Sequence, residues 1–175
     1  RYVKIYPYFE ERTTMLYYYP QIKAEVMDSL VEMGYKGIVI VGTGLGHVNK
    51  ELYPAIERAT KKGVAIYMTL QTIWGYVHMF VYDTGRDMMA KGVIPAGNML
   101  PEVAWVKLGW ALGMVSEQEK QSGKKFERVE RVEEVKDIML APINDEITER
   151  EPYNGYLVYQ GGVKEVEEFV RKFRK

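Results

Sequence analysis

Residues 37–47 read GIVIVGTGLGH, and the fold turns on this stretch. The run 37–41 is short, continuous and β-branched, as expected for a strand buried on both faces of a helix-covered parallel sheet. The glycines at 42, 44 and 46 end that run and mark a tight loop at its carboxyl end. On the amino side, KAEVMDSLVEMG (23–34) places Val26, Leu30 and Met33 on one helical face and stops at Gly34, a C-terminal cap. On the carboxyl side, KELYPAIERATKKG (50–63) is helical with Leu52, Ile56 and Ala59 inward, and VAIYMT (64–69) is the next strand. TTMLYYYP (13–20) is β-rich and supplies an earlier strand. Strand–helix–strand–helix–strand with short connections requires right-handed crossovers and a parallel sheet. The expected fold is a three-layer, doubly wound α/β domain with a mostly parallel sheet, flavodoxin-like or Rossmann-like.

The rest of the chain is less regular. LQTIWGYVHMFVY (70–82) reads as an aromatic, glycine-broken loop. Thr84 with Asp87 predicts a capped short helix to Lys91. Asn98 is expected to cap the segment MLPEVAWVKLGWALG, with Pro101 in its first turn. SEQEKQSGKK (116–125) reads as a solvated connection, and ERVERVEEVKDIML (127–140) as an amphipathic helix carrying Val129, Val132, Val135 and Met139. GYLVYQ (155–160) predicts a further strand and VKEVEEFVRKFRK (163–175) a closing helix. The expected domain is single, 1–175.

Composition excludes several chemistries. The 175 residues carry 24 basic and 24 acidic side chains, so no global field points to nucleic acid or an anionic membrane. There is no cysteine and there are only two histidines, which removes thiol catalysis and makes a histidine-rich metal site unexpected. No apolar stretch reaches the ~18 residues of a membrane span. The opening RYVKIYPYF, without an initiator Met, reads as processed or engineered, and Glu/Lys abundance without Cys fits a heat-tolerant source. A dinucleotide loop needs G-x-G-x-x-G, but residues 42–46 give G-x-G-x-G and the next strand ends YMTLQ without an acid. A phosphate-binding P-loop needs Lys-Ser/Thr, and His47-Val48 stands there instead. The loop is a turn without nucleotide chemistry, and no cofactor is expected. In open α/β sheets ligand crevices lie outside the strands' carboxyl ends, where this turn sits.

GYKGIVIVGTGLGHV, VYDTGRDMMAKGVIPAGNMLPEVAWVKLGWALG and EEVKDIML followed by EIT together resemble the C-terminal domain of asparaginase-type amidohydrolases, most of all the D subunits of archaeal glutamyl-tRNA(Gln) amidotransferases. The resemblance spans most of 13–149; 151–175 lies past it. It implies a domain without catalytic residues of its own, because in that family the catalytic threonines and their Asp and Lys helpers belong to an N-terminal domain. The Thr-Gly-Gly-Thr-Ile-type motif of that domain is not in this chain. The resemblance also implies a cytoplasmic protein, a role in holding a dimer together, and residues lent to a neighbouring protomer's site. The carried-over positions are Gly42, Thr43, Gly44, Gly46 and His47 in the first loop, and the segment around Gln71 to His78.

Departures from the family pattern cluster at one rim. Val41 stands where the pattern has Glu; Leu70 and Thr72 replace Ser and Cys; Tyr76 and His78 replace Arg and Asn; Gln21 follows Pro20 where Gly is usual. Tyr17, Tyr19, Val41, Leu70, Trp74, Tyr76, Phe80 and Tyr82 are therefore expected to surround His47 and His78 as a contact rim, with Tyr18 turned inward. Aromatic residues are the usual anchors of interfaces. Three readings stay open: a protein-binding module, a self-association module, and an enzyme or small-ligand protein using Glu102, Asp83, Arg86 and Asp87. The last is weakest, since those acids sit at helix starts, where they stabilise the dipole.

Overall fold

The computed structural model describes residues 3–148. The strand expected at 155–160 and the helix at 163–175 lie outside the described residues. Four strands, β1 (Thr13–Tyr17), β2 (Gly37–Gly42), β3 (Ala65–Leu70) and β4 (Val93–Pro95), pair in parallel in the order β1-β2-β3-β4. The strand β4 has no sequence signature: three residues are too few to show a period. The helices are α1 (Ala24–Glu32), α2 (Tyr53–Lys61), α3 (Asp83–Ala90), α4 (Pro101–Ser122) and α5 (Arg128–Leu140).

Every residue of β2 and of β3 is buried, which is why both read as unbroken apolar runs. Successive side chains on a strand point to opposite faces. Ile38, Ile40, Ile66 and Met68 join Met27, Ile56 and Met88 of α1 to α3 in one core. Val39 and Tyr67 join Leu108, Leu112, Val135 and Met139 of α4 and α5 in the other. The result is three layers, helices on both faces of a parallel sheet. All neighbouring strands pair in parallel, so the described sheet holds all its carboxyl ends along one edge.

Turn chemistry sets the helix lengths. Gly34 and Gly63 take left-handed backbone (φ +84° and +87°) just past α1 and α2. Tyr35 N–H reaches back to the Leu30 carbonyl (3.1 Å) and Val64 N–H to the Ala59 carbonyl (3.1 Å), the Schellman arrangement that satisfies orphan carbonyls. Five sequence expectations are corrected here. On α1 the inward stripe is Ala24, Met27, Leu30 and Val31, while Val26 and Met33 face solvent. Thr84 does not cap α3; Asp83 does the local work, its Oδ1 accepting from Thr84 N–H at 2.7 Å. Asn98 does not cap α4, which starts after Leu100; its Oδ1 accepts from Thr148 N–H (2.9 Å). The stretch 116–122 is helix, not connection. It is held by α5, whose Arg131 pairs with Glu119 and donates to Ser116 Oγ (2.9 Å). On α5 itself, Val135 and Met139 are buried but Val129 is exposed.

Residues 3–12 form a strap over α4 that no local sequence pattern reveals. Glu10 N–H donates to the Gly109 carbonyl (2.9 Å) and Trp110 Nε1 to the Tyr6 carbonyl (3.1 Å). A Cβ on Gly113 would meet the Phe9 nitrogen at 2.5 Å, and one on Gly109 would strike the Phe9 ring. The two glycines, four apart on one helix face, make the groove in which the strap lies.

Candidate functional site at the strand carboxyl ends

The loops leaving β1 to β4 converge along one edge, and hydrogen bonds knit them together. In 42–47, Thr43 and His47 form an isolated antiparallel bridge: Thr43 N–H donates to the His47 carbonyl (3.0 Å) and His47 N–H to the Thr43 carbonyl (2.9 Å). That closure places Gly44 and Gly46 at φ +56° and +98°, conformations that side chains other than Gly resist. Gly42 has a different reason: its Cβ would stand 2.7 Å from Met68 Sδ. Gln71 pins three exits at once. Its backbone N–H donates to the Gly42 carbonyl (3.0 Å), and its side-chain amide donates to the carbonyls of Val41 (3.1 Å) and Tyr18. Segment 76–79 is threaded beneath: His78 N–H donates to the Leu45 carbonyl and Val77 N–H to the Gly97 carbonyl, each 3.0 Å, while Val77 and Met79 are buried.

Not all expected rim residues are on the rim. Tyr17, Tyr19, Trp74, Phe80 and Tyr82 are exposed, and Tyr76, His78 and His47 are part-buried. Val41 (0% exposed) and Leu70 (5%) are core residues instead. Both belong to fully buried strands, and Leu70 packs with the α1–α3 core. Tyr18 packs against that same core. Two ring pairs organise the surface: His47 against the edge of Tyr82 (centroids 5.5 Å) and Tyr76 tilted on His78 (5.0 Å). Burial lowers the His47 pKa below its ordinary 6.5, so the ring is neutral at pH 7, and its Nε2 is buried with no hydrogen-bond partner among the described residues.

The residues considered for catalysis do not gather. Arg86 Nη1 donates to the Phe80 carbonyl (2.7 Å), stapling its own loop. Asp83 turns to Thr84 N–H, and Glu102 lies on a separate groove with Val106 and Ile143. Among the described residues no group of His, Asp and Glu could hold a metal ion, and no helix is long and apolar enough to cross a membrane. What the edge offers chemically is aromatic area, two imidazoles and no carboxylate among the rim residues.

Two features of this edge carry little or no sequence signal. Gln21 adopts φ +72°; the one signal is its place after Pro20, where the resembled family has Gly. The segment ending at Thr148 also returns to the edge: Tyr76 Oη donates to the Thr148 carbonyl (3.4 Å), and Ile147 sits 3.1 Å from where a Gly97 Cβ would be. No local pattern marks that long-range return.

Comparison with known proteins agrees with this geometry. Residues 12–123 match the glutaminase/asparaginase C-terminal domain family. The chain is 54% identical over 105 residues to the D subunit of glutamyl-tRNA(Gln) amidotransferase from Thermococcus kodakarensis, covering 60% of this chain and 24% of that protein. With the corresponding protein of Pyrococcus abyssi it is 45% identical over 148 residues, 85% of this chain and 31% of that protein. Among solved structures, the thermostable L-asparaginase from Thermococcus kodakarensis superimposes with a TM-score of 0.68 at 28% identity, covering 82% of this chain and 40% of that one. The chain thus spans a quarter to a third of the curated relatives' length. It belongs to the glutaminase/asparaginase C-terminal domain family.

Proposed function

We propose that this chain is the C-terminal domain of a glutamyl-tRNA(Gln) amidotransferase D subunit, without amidohydrolase activity by itself. In this reading 13–149 is the family domain and 151–175 an extension of it. Its strand-end edge is a protein-binding surface, and the partner is the catalytic portion of such an enzyme, in the same or a neighbouring protomer. The carrying observation is the 54% identity to an amidotransferase D subunit of which this chain covers only 24%. The chemistry of the edge supports it. A threonine nucleophile needs a positioned base and an oxyanion site, yet Thr43 Oγ1 donates to the His47 carbonyl (3.2 Å) and Thr69 is wholly buried. Exposed Tyr17, Tyr19, Trp74, Phe80 and Tyr82 provide stiff amphipathic area of the kind that anchors interfaces. Self-association through the same aromatics is the second reading.

The test is a binding titration between this chain and the separately produced N-terminal portion of a related amidotransferase D subunit, read by sedimentation. Saturable association that Trp74→Ala and Phe80→Asp each weaken by about tenfold supports the proposal. Association unaffected by both substitutions would move the interface elsewhere. A concentration-dependent dimer of this chain alone, broken by the same substitutions, would favour self-association.

A further inference from the structure

At the opposite edge of the sheet, where strands begin, lies a groove of about 630 Å³ between the turns before β2 and β3, α4, and the start of α5. We propose that it binds an organic phosphate, with the phosphate on a cationic rim and an apolar body on its floor. This goes beyond the function proposed above and does not depend on it.

Five cations line the groove: Lys36, Lys62, Lys125, Arg128 and Arg131. Two acids do, Glu119, which pairs with Arg131, and Glu10, which keeps its charge, so the lining carries a surplus of three positive charges. Glu119 pairs with Arg131 and accepts from Phe126 N–H (2.9 Å); Glu10 Oε1 accepts from Arg12 N–H (3.0 Å). Lys62 feels Asp28, but that carboxylate is already held at both oxygens by Arg58 (3.0 and 2.6 Å). Arg128 uses Nη1 on the Lys61 carbonyl (2.6 Å), which fixes its guanidinium and leaves its other nitrogens available. Lys36 and Lys125 have no ion-pair partner among the described residues. In a chain with 24 charges of each sign, this is a local surplus that the overall balance conceals.

The floor tells what kind of anion. Val64, Leu112, Phe126, Val132 and Val135 line it beneath the cations. A bare inorganic anion would leave that apolar surface wet, whereas a phosphate carrying a flat apolar group covers it. The backbone amides of the two turns are already spent, those of Gly34, Tyr35, Gly63 and Val64 on helix carbonyls and that of Lys36 on the Arg12 carbonyl (2.7 Å), so recognition falls to the side chains and must weaken with salt.

The test uses the full 175-residue chain in calorimetric titrations at low ionic strength, with ADP, inorganic diphosphate and adenosine as probes. ADP is expected to bind saturably, with diphosphate at least about tenfold weaker and adenosine weaker still. The double variant Lys36→Ala/Lys125→Ala should raise the ADP Kd at least about tenfold while leaving the melting temperature unchanged, since both lysines are exposed. Absence of saturable ADP binding overturns the proposal, as does a double variant that binds like the parent. Diphosphate binding as tightly as ADP overturns the role given to the floor.

Discussion

Replacing Lys107 with Met should unseat the segment that returns the chain to the strand-end edge. Lys107 is 6% exposed and Glu146 12%, and the ammonium lies 2.5 Å from Glu146 Oε1 and 2.5 Å from the Ala141 carbonyl. The carboxylate also accepts the amides of Ile143 (3.2 Å) and Asn144 (2.6 Å). Burial raises the Glu146 pKa, but the Lys107 bond and these amides outweigh it and hold it at about 2, against an ordinary 4.5. That difference, at about 1.4 kcal/mol per pH unit, amounts to about 3 kcal/mol. Removing one partner of a buried pair costs roughly 3–5 kcal/mol independently of that reasoning. The folded pKa is depressed, so this stability is fully present above pH 4.5 and is lost as pH falls toward about 2. Lys107→Met should therefore lower the melting temperature at pH 7 by roughly 6–12 °C, with a deficit that narrows below pH 4.5. Lys107→Met/Glu146→Gln should recover about half the loss, because the buried charge is gone while an oxygen remains for the amides. Circular dichroism melts across pH 2.5–7 decide it. A single variant within about 1 °C of the parent, or a double variant less stable than the single, refutes the reasoning.

Three further outcomes follow from the same geometry. Gly44→Ala meets open space at φ +56° and should cost about 1 kcal/mol in urea unfolding, whereas Gly46→Ala, at φ +98° with Val77 Cγ1 2.9 Å from its Cβ, should cost about 3. Equal costs would contradict the packing of 42–47 on 77–79. Gly113→Val should lift the strap from α4, so that limited proteolysis cuts within residues 3–12 of the variant and spares the parent. His47, neutral because burial lowers its pKa, should titrate below 6.5 by NMR. As its folded pKa is depressed, stability falls as pH drops below 6.5, and His47→Phe should flatten that acid limb.

The sheet was legible because its strands are the sort that period and composition reveal. β2 and β3 are buried on both faces and read as continuous apolar runs, and Gly34 and Gly63 stand at the helix ends where a left-handed residue is required. What sequence could not show depends on distant partners. Val41 and Leu70 break the family's polar pattern in the manner of surface aromatics, yet their strands bury them. Residues 116–122 are polar enough for a loop and are helical because Arg131 reaches Ser116 and Glu119 from α5. Asn98 has the chemistry of a cap but spends it on Thr148, fifty residues on. The strap over Gly109 and Gly113 follows no local period at all.

In the proposed function this domain acts only together with another part of an enzyme. Ammonia release from L-asparagine and L-glutamine by the purified chain, alone and mixed with the N-terminal portion of a related amidotransferase D subunit, decides it. The expected result is no turnover above buffer by the chain alone, and turnover in the mixture above that of the N-terminal portion by itself. Hydrolysis by the chain alone would contradict the account.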